Sequence, residues 1–390
     1  MTDPDVAALA AQYEQVALVL QGGGALGAYQ AGVYQALNEA GIRPNRVAGI
    51  SIGAINAALI AGNPPERRVA RLRAFWERVS TQSLAPLLDP VALTAGALAL
   101  WPATRELASA IYASRAVLEG QRGFFRPRVP LPLPGVASPP GEASFYDTTE
   151  LRATLEELVD FDRINAREVG FAVGAVDVAT GNFAFFDAER ERIDARHVMA
   201  SGALPPAFAA VEIDGRFFWD GGLLSNTPLE YVLESGGRHD TLAFQVDLWS
   251  AKGIVPRTID DVLERDKDIR YSSRTRKGTD DALQRQKLRQ ALAKVRAELP
   301  ESLVGSELWE LLDFNSCRKV FNVVHLIYRA KAHEGQYKDY EFSLETMRDH
   351  WQAGAEDTRA SLRPDFLAKP DGADGVVTHD VHRGEPPPTS

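Results

Sequence analysis

Ser51 stands in Gly49-Ile50-Ser51-Ile52-Gly53, a Gly-x-Ser-x-Gly turn. A serine hydroxyl held in such a turn could attack a carbonyl carbon, given a base for its proton and N–H groups to meet the oxyanion. Upstream, Gln21 leads into Gly22-Gly23-Gly24. Consecutive glycines let the backbone come close and aim several N–H groups at one oxygen. The same loop, as Gly22-x-Gly24-x-x-Gly27, also fits a dinucleotide-binding fingerprint. That alternative requires an acid roughly 20 residues on, at the end of the second strand. The second apolar run ends in Gly49-Ile50-Ser51 instead, and the nearest acid before it, Glu39, falls inside a helical stretch.

The base is less plain. None of the seven histidines falls in a strand-end turn beside a glycine. His197 lies in a helical pattern and His239 in a polar loop. His325 is mid-strand, and His333, His350, His379 and His382 lie in the C-terminal third. Asp220 does occupy a strand end, ahead of Gly221-Gly222. A carboxylate tuned by burial and hydrogen bonding can take a serine proton directly. Asp-Gly is also an ordinary turn pair. From the residues alone, Asp220, His197 and His239 therefore stay open.

These groups need elements to position them. The apolar run 16–20 reads as a strand, and the glycine loop then opens a helix over 28–40. A short strand over 47–50 delivers Ser51, and a helix follows over 54–61. Such a helix would turn its positive dipole end toward a forming oxyanion. Apolar residues at helical spacing predict another helix over 66–79. Residues 81–146 break the regular pattern: the run 91–101 is nearly all apolar, and prolines crowd 127–140. That density forbids helix interiors and central strands. The candidate roles for this insertion are a lid, a lipid contact, a buried subdomain or an oligomer contact. Strands are then expected at 170–178, 182–187 and 241–248, a hairpin over 211–219, and short helices at 148–158 and 194–201. Beyond 250 come charged helices over 258–299, a strand over 319–329 and a helix over 343–360. The basic groups within 265–289 read as a solvated face or a contact to anionic headgroups. The expected divisions are a leader at 1–13, a catalytic unit at 14–250, a mostly helical domain at 251–368 and a disordered tail at 369–390.

The formal net charge of −10 argues against nucleic acid as a partner. A single cysteine, Cys317, excludes an intramolecular disulfide and a cysteine metal cluster. The first residues lack a basic and an apolar region, and no run of about 18 uncharged apolar residues occurs, so a cytoplasmic protein is expected.

Three ordered motifs, Gln21-Gly22-Gly23-Gly24-Ala25-Leu26-Gly27, Gly49-Ile50-Ser51-Ile52-Gly53 and Asp220-Gly221-Gly222, together resemble the patatin-like phospholipase family. Ser201-Gly202-Ala203-Leu204-Pro205 is similar to a further block of it, and the resemblance covers about residues 14–250. It implies an α/β fold with a mainly parallel central sheet between helices in three layers. The part after Ser250 resembles the extra, α-rich C-terminal domain of a bacterial subset. It implies a Ser51–Asp220 dyad without histidine and an oxyanion hole formed by the amides of Gly22, Gly23 and Gly24. Many members carry Arg or Lys just after the three glycines; Ala25 and Leu26 stand here. That departure touches phospholipid headgroup preference more than ester hydrolysis. The expectation is a serine acyl hydrolase of lipid esters, with peripheral membrane contact and neither cofactor nor metal. Rivals are an acylglycerol or intracellular polyhydroxyalkanoate hydrolase, a nucleotide-binding oxidoreductase, and a membrane-peripheral scaffold with a vestigial site.

Overall fold

The computed structural model describes residues 4–80, 94, 98, 105–133, 135–235, 237–329, 334–370 and 375–381. Its first strand, β1 (Gln15–Leu20), is buried along its whole length. An unbroken apolar run suits a parallel strand covered on both faces. Eight more strands join it: β2 (Arg46–Gly49), β3 (Gly170–Asp177), β4 (Phe183–Asp187), β5 (Val211–Ile213), β6 (Arg216–Asp220), β7 (Thr241–Asp247), β8 (Phe321–Ile327) and β9 (Val376–Asp380). The order across the sheet is β9-β8-β7-β1-β2-β3-β6-β5, with β4 also on β3. Pairs from β9 through β3 are parallel, while β4, β5 and β6 pair antiparallel. The central sheet is thus mainly parallel and flanked by helices, as expected.

The helices that matter here are α1 (Ala28–Glu39), α2 (Ile52–Ala61), α3 (Pro65–Val79), α4 (Arg105–Glu119), α5 (Thr149–Leu158), α6 (Ala195–Ser201), α7 (Leu229–Glu234), α8 (Ile259–Ala297) and α9 (Leu344–Ser361). Every residue of α2 is buried. Its sequence is apolar on all sides, which marks a central rather than a surface helix. α9 crosses α1, and Trp351 in it donates from its indole to Gln35 in α1 at 2.6 Å.

Three expectations need correction. Residues 81–146 are not irregular throughout, since α4 is a regular helix of 15 residues. The apolar run 91–101 lies outside the described residues apart from Thr94 and Leu98, which are helical. The part after Ser250 does not stand apart: β8 lies directly against β7, and β9 extends the same sheet. Nor is the stretch from 369 wholly disordered, because Val376–Asp380 is β9. Five residues with a polar end carry little strand signal alone. The partner β8 supplies the hydrogen bonds that select it. Residues 382–390 lie outside the described residues.

Candidate active site

β2 runs into Ser51, which holds φ at +56°. A non-glycine residue there is strained, and such strain persists where the surroundings over-determine it. Two things fix it. Gly49 and Gly53 meet so closely that a Cβ on Gly49 would lie 2.2 Å from the Gly53 carbonyl. The Ser51 N–H donates to both the carbonyl and the hydroxyl of Ser201, each at 3.1 Å. Ser201 in turn donates to the Gly174 carbonyl at 2.6 Å, tying the turn to β3. The hydroxyl of Ser51 stands at the N-terminus of α2, where the helix dipole favours negative charge.

Asp220 ends β6 and is 2% exposed. Its pairing opposite Ala175 brings it beside the end of β2. Burial pushes its carboxyl up to about 6, while the Ser51 hydroxyl and the Gly222 amide, which donate to it, pull down. The Gly222 N–H lies 2.7 Å from Oδ1. Ser51 and Asp220 are therefore in direct contact.

The glycine loop faces them. The Gly22 N–H is already donated to the Asn226 carbonyl at 3.2 Å, and its own carbonyl accepts from Asn226 Nδ2 and Trp249 Nε1. The Ala25 N–H is donated to the Asp339 carbonyl at 2.8 Å. Between them, the N–H groups of Gly23 and Gly24 have no acceptor among the described residues. Gly24 holds φ at +56°, and a Cβ there would stand 2.0 Å from the Asp339 carbonyl oxygen. Sequence reasoning expected three donors, and one of them is spent internally. Asn226, Ser201 and Trp249 were not singled out as site residues. Nothing in Ser225-Asn226-Thr227 distinguishes it from a plain turn.

A cavity of about 340 Å³ opens at Ser51, Asp220 and the glycine loop. Ile55, Phe124, Leu204, Phe208 and Phe342 give it an apolar wall, and Asp339 and Tyr340 bring the late part of the chain to its edge. A larger hollow of about 1000 Å³ contains none of the motif residues; ion pairs such as Arg78–Glu157 and Arg115–Glu119 line it. We give it no chemistry, because reacting groups, not size, make a site.

The histidines lie elsewhere. His197 Nδ1 accepts from the Asp194 N–H at 3.0 Å as part of a helix cap. His239 sits just before β7, 3.5 Å from Glu14, at the opposite end of the strands from Ser51. His325 is held between Asp247 and Asp380. No histidine lines the cavity among the described residues. Among the described residues, no group of three or more His, Cys, Asp or Glu is arranged to hold a metal ion, and no helix is long and apolar enough to cross a membrane.

A family model for patatin-like phospholipases matches residues 18–233. The chain belongs to the patatin-like phospholipase family. A second model, described as patatin phospholipase, matches residues 269–372. Among curated relatives, the patatin-like phospholipase domain-containing protein 6 of Mus musculus is 42% identical over 74 residues, covering 19% of this chain and 6% of that protein. An uncharacterized NTE family protein of Mycobacterium tuberculosis is 28% identical over 222 residues, 55% of this chain and 44% of that one. The chain thus spans less than half the length of these relatives. Two similar solved structures are VipD from Legionella pneumophila and human GIVD cytosolic phospholipase A2. VipD has a TM-score of 0.37 and 14% identity, with 91% of this chain and 67% of that one covered. The phospholipase A2 has a TM-score of 0.31 and 14% identity, with 62% and 45% covered. In this patatin-like chain, Ser51 stands where a dinucleotide-binding fold needs its ribose-binding acid, and Trp249 and Asp339 pack on the glycine loop.

Proposed function

We propose that this protein is a serine hydrolase of lipid esters working through a Ser51–Asp220 dyad. The observation that carries it is a buried carboxylate taking a hydrogen bond from a serine on a strained turn. Ser51 Oγ attacks the ester carbonyl carbon while its proton passes to Asp220. The tetrahedral oxyanion meets the N–H groups of Gly23 and Gly24, each donor contributing about 3 to 4 kcal/mol in comparable sites. The carbon–oxygen bond to the leaving alcohol then breaks, and protonated Asp220 returns the proton to that oxygen. Water then attacks the acyl carbon as its proton passes to Asp220; the bond from that carbon to Ser51 Oγ breaks, Asp220 returns the proton to Oγ, and the carboxylic acid is released. A base near 6 is largely ionised at neutral pH, which suits this double role.

The apolar wall of the cavity supports an acyl chain as the bound group. We read the exposed Val129, Leu131, Leu133 and Val136 of the insertion, with Val117 at the cavity, as the surface that meets aggregated lipid. Acylglycerols and polyesters share the same ester chemistry and are alternatives to phospholipids.

The test is fluorophosphonate labelling together with p-nitrophenyl ester turnover. Ser51→Ala is expected to lose both, and Asp220→Asn to lose at least about a thousandfold in kcat. Labelling of Ser51→Ala would overturn the nucleophile, and full activity in Asp220→Asn would overturn the base. In vesicle flotation, Leu131→Asp combined with Leu133→Asp should release the protein from lipid without lowering turnover of soluble esters. Unchanged flotation would refute the lipid-facing surface.

A further inference from the structure

Residues 334–342 carry no nucleophile or base for the reaction, yet they touch the glycine loop where its geometry is decided. The Asp339 carbonyl accepts the Ala25 N–H at 2.8 Å and fills the space that a side chain at Gly24 would need. Glu334, also in this stretch, accepts from Tyr328 at 2.6 Å and faces His350 Nε2 at 3.2 Å. His350 Nδ1 lies 3.4 Å from the Ala25 carbonyl. Ala25 is thus met on both its N–H and its C=O by the late part of the chain.

The stretch is fastened to α8 by two lysines. Lys338 is 3% exposed and donates to Glu264 at 2.9 Å and to Asp268 at 2.7 Å. Its ammonium also lies 5.5 Å from the centre of the Trp249 ring. Trp249 is the residue that donates to the Gly22 carbonyl at 2.8 Å. Lys267 in α8 bonds the Asp339 carboxylate at 2.7 Å and the Gln336 carbonyl at 3.0 Å. A buried ammonium with two carboxylates is costly to disrupt from one side, because it leaves charge without a partner. Lys338 thus ties the segment that carries Asp339 to α8 and lies beside the Trp249 indole, while Lys267 bonds Asp339 itself.

We infer that residues 334–342 act as a clamp that sets the amides of Gly23 and Gly24 for the oxyanion, with Lys338 as its positioning residue. The inference rests on the Ser51 reading above. The clamp spends the N–H of Ala25 on Asp339 while Asn226 takes that of Gly22, which leaves the two middle amides for the substrate. Misplacement of an oxyanion donor by a fraction of an ångström acts on the transition state more than on the bound ester.

The experiment compares Lys338→Met, Lys267→Met and Lys338→Arg in the full chain. Hydrogen exchange is read at the Ala25 amide, beside kcat and KM for a soluble p-nitrophenyl ester. Lys338→Met is expected to lower kcat roughly 10- to 100-fold with KM within about twofold, and to speed exchange at Ala25. Lys267→Met should do the same to a smaller extent, and Lys338→Arg should restore much of both. Arg289→Met, which breaks an ion pair to Glu234 elsewhere on α8, should change neither. If Lys338→Met does not fold, Lys267→Met decides, since Lys267 is about a third exposed. Unchanged Ala25 exchange and kcat in a folded variant would overturn the clamp. A wild type that neither labels nor turns over, while Ala25 exchange still depends on Lys338, would refute the hydrolase reading and leave the clamp standing.

Discussion

Residues 16–62, which contain the glycine loop, and residues 334–342, which pack on it, come from opposite ends of the chain, and they are built differently. The first stretch is two buried parallel strands and two helices, the second of them buried at every residue, and it carries Ser51 and the loop itself. The second contributes a backbone carbonyl and a cluster of ion pairs. In the proposed reaction, the attacking oxygen and the oxyanion amides come from the first stretch, the base Asp220 comes from β6, and the second stretch contributes geometry alone. Apolar packing can hold a turn rigid without specifying hydrogen bonds, whereas orienting individual amides calls for polar partners of fixed direction.

The largest effect is expected where the two stretches meet. Gly24→Ala adds a Cβ that would stand 2.0 Å from the Asp339 carbonyl, on a backbone at φ +56°. The oxygen belongs to the main chain and cannot rotate away, so loop and clamp must separate. Turnover should fall about a hundredfold or more, as for a misplaced catalytic group, with a lowered Tm. If Gly24→Ala costs no more than Lys338→Met, the loop is set by the far wall alone; a larger loss means both stretches act.

A smaller effect sharpens the difference by pH. The Asp220 carboxyl is raised by burial to about 6, so kcat/KM should climb with pH through that value and level off above it. Stability runs the other way. The fold favours protonated Asp220, so its contribution is complete below about 4, the unfolded value, and is lost as pH rises through about 6. Asp220→Asn removes that loss. It should melt with wild type at pH 4 and above it at pH 8, by at most about 3 kcal/mol, two pKa steps at 1.36 each. Parallel melting curves at both pH values would mean that Asp220 is ionised at no cost in the fold. The site would then be less dry than its burial indicates.

Most of the first stretch could be read from the sequence, because its signals are local. An apolar run, a glycine loop, a helical period and a Gly-x-Ser-x-Gly turn all fall within neighbouring residues. Asp220 was visible as a carboxylate at a strand end before two glycines, but the residues alone left it level with His197 and His239, and only the family resemblance set it apart. The second stretch was not legible. Gln336-Tyr337-Lys338-Asp339 carries no periodicity, and its role depends on Ala25, Glu264 and Asp268, which only the fold brings near. The expected Gly22 donor failed on the same ground, since Asn226 had to be placed before that amide could be seen as taken. β9 escaped notice because its strand character comes from β8 rather than from its own residues.

The position of β7 has a practical consequence. It is buried at all seven positions, with β1 on one side and β8 on the other. The two family models leave a gap between residues 233 and 269 that invites trimming there. A chain trimmed after β7 would lose β8 and bare the hydrogen-bonding edge of a strand rich in Leu, Phe and Val. Open edges of that kind recruit other strands. Shortening this protein to the part that the first family model matches would yield an aggregating polypeptide, and expression work is better begun with β8 and β9 retained.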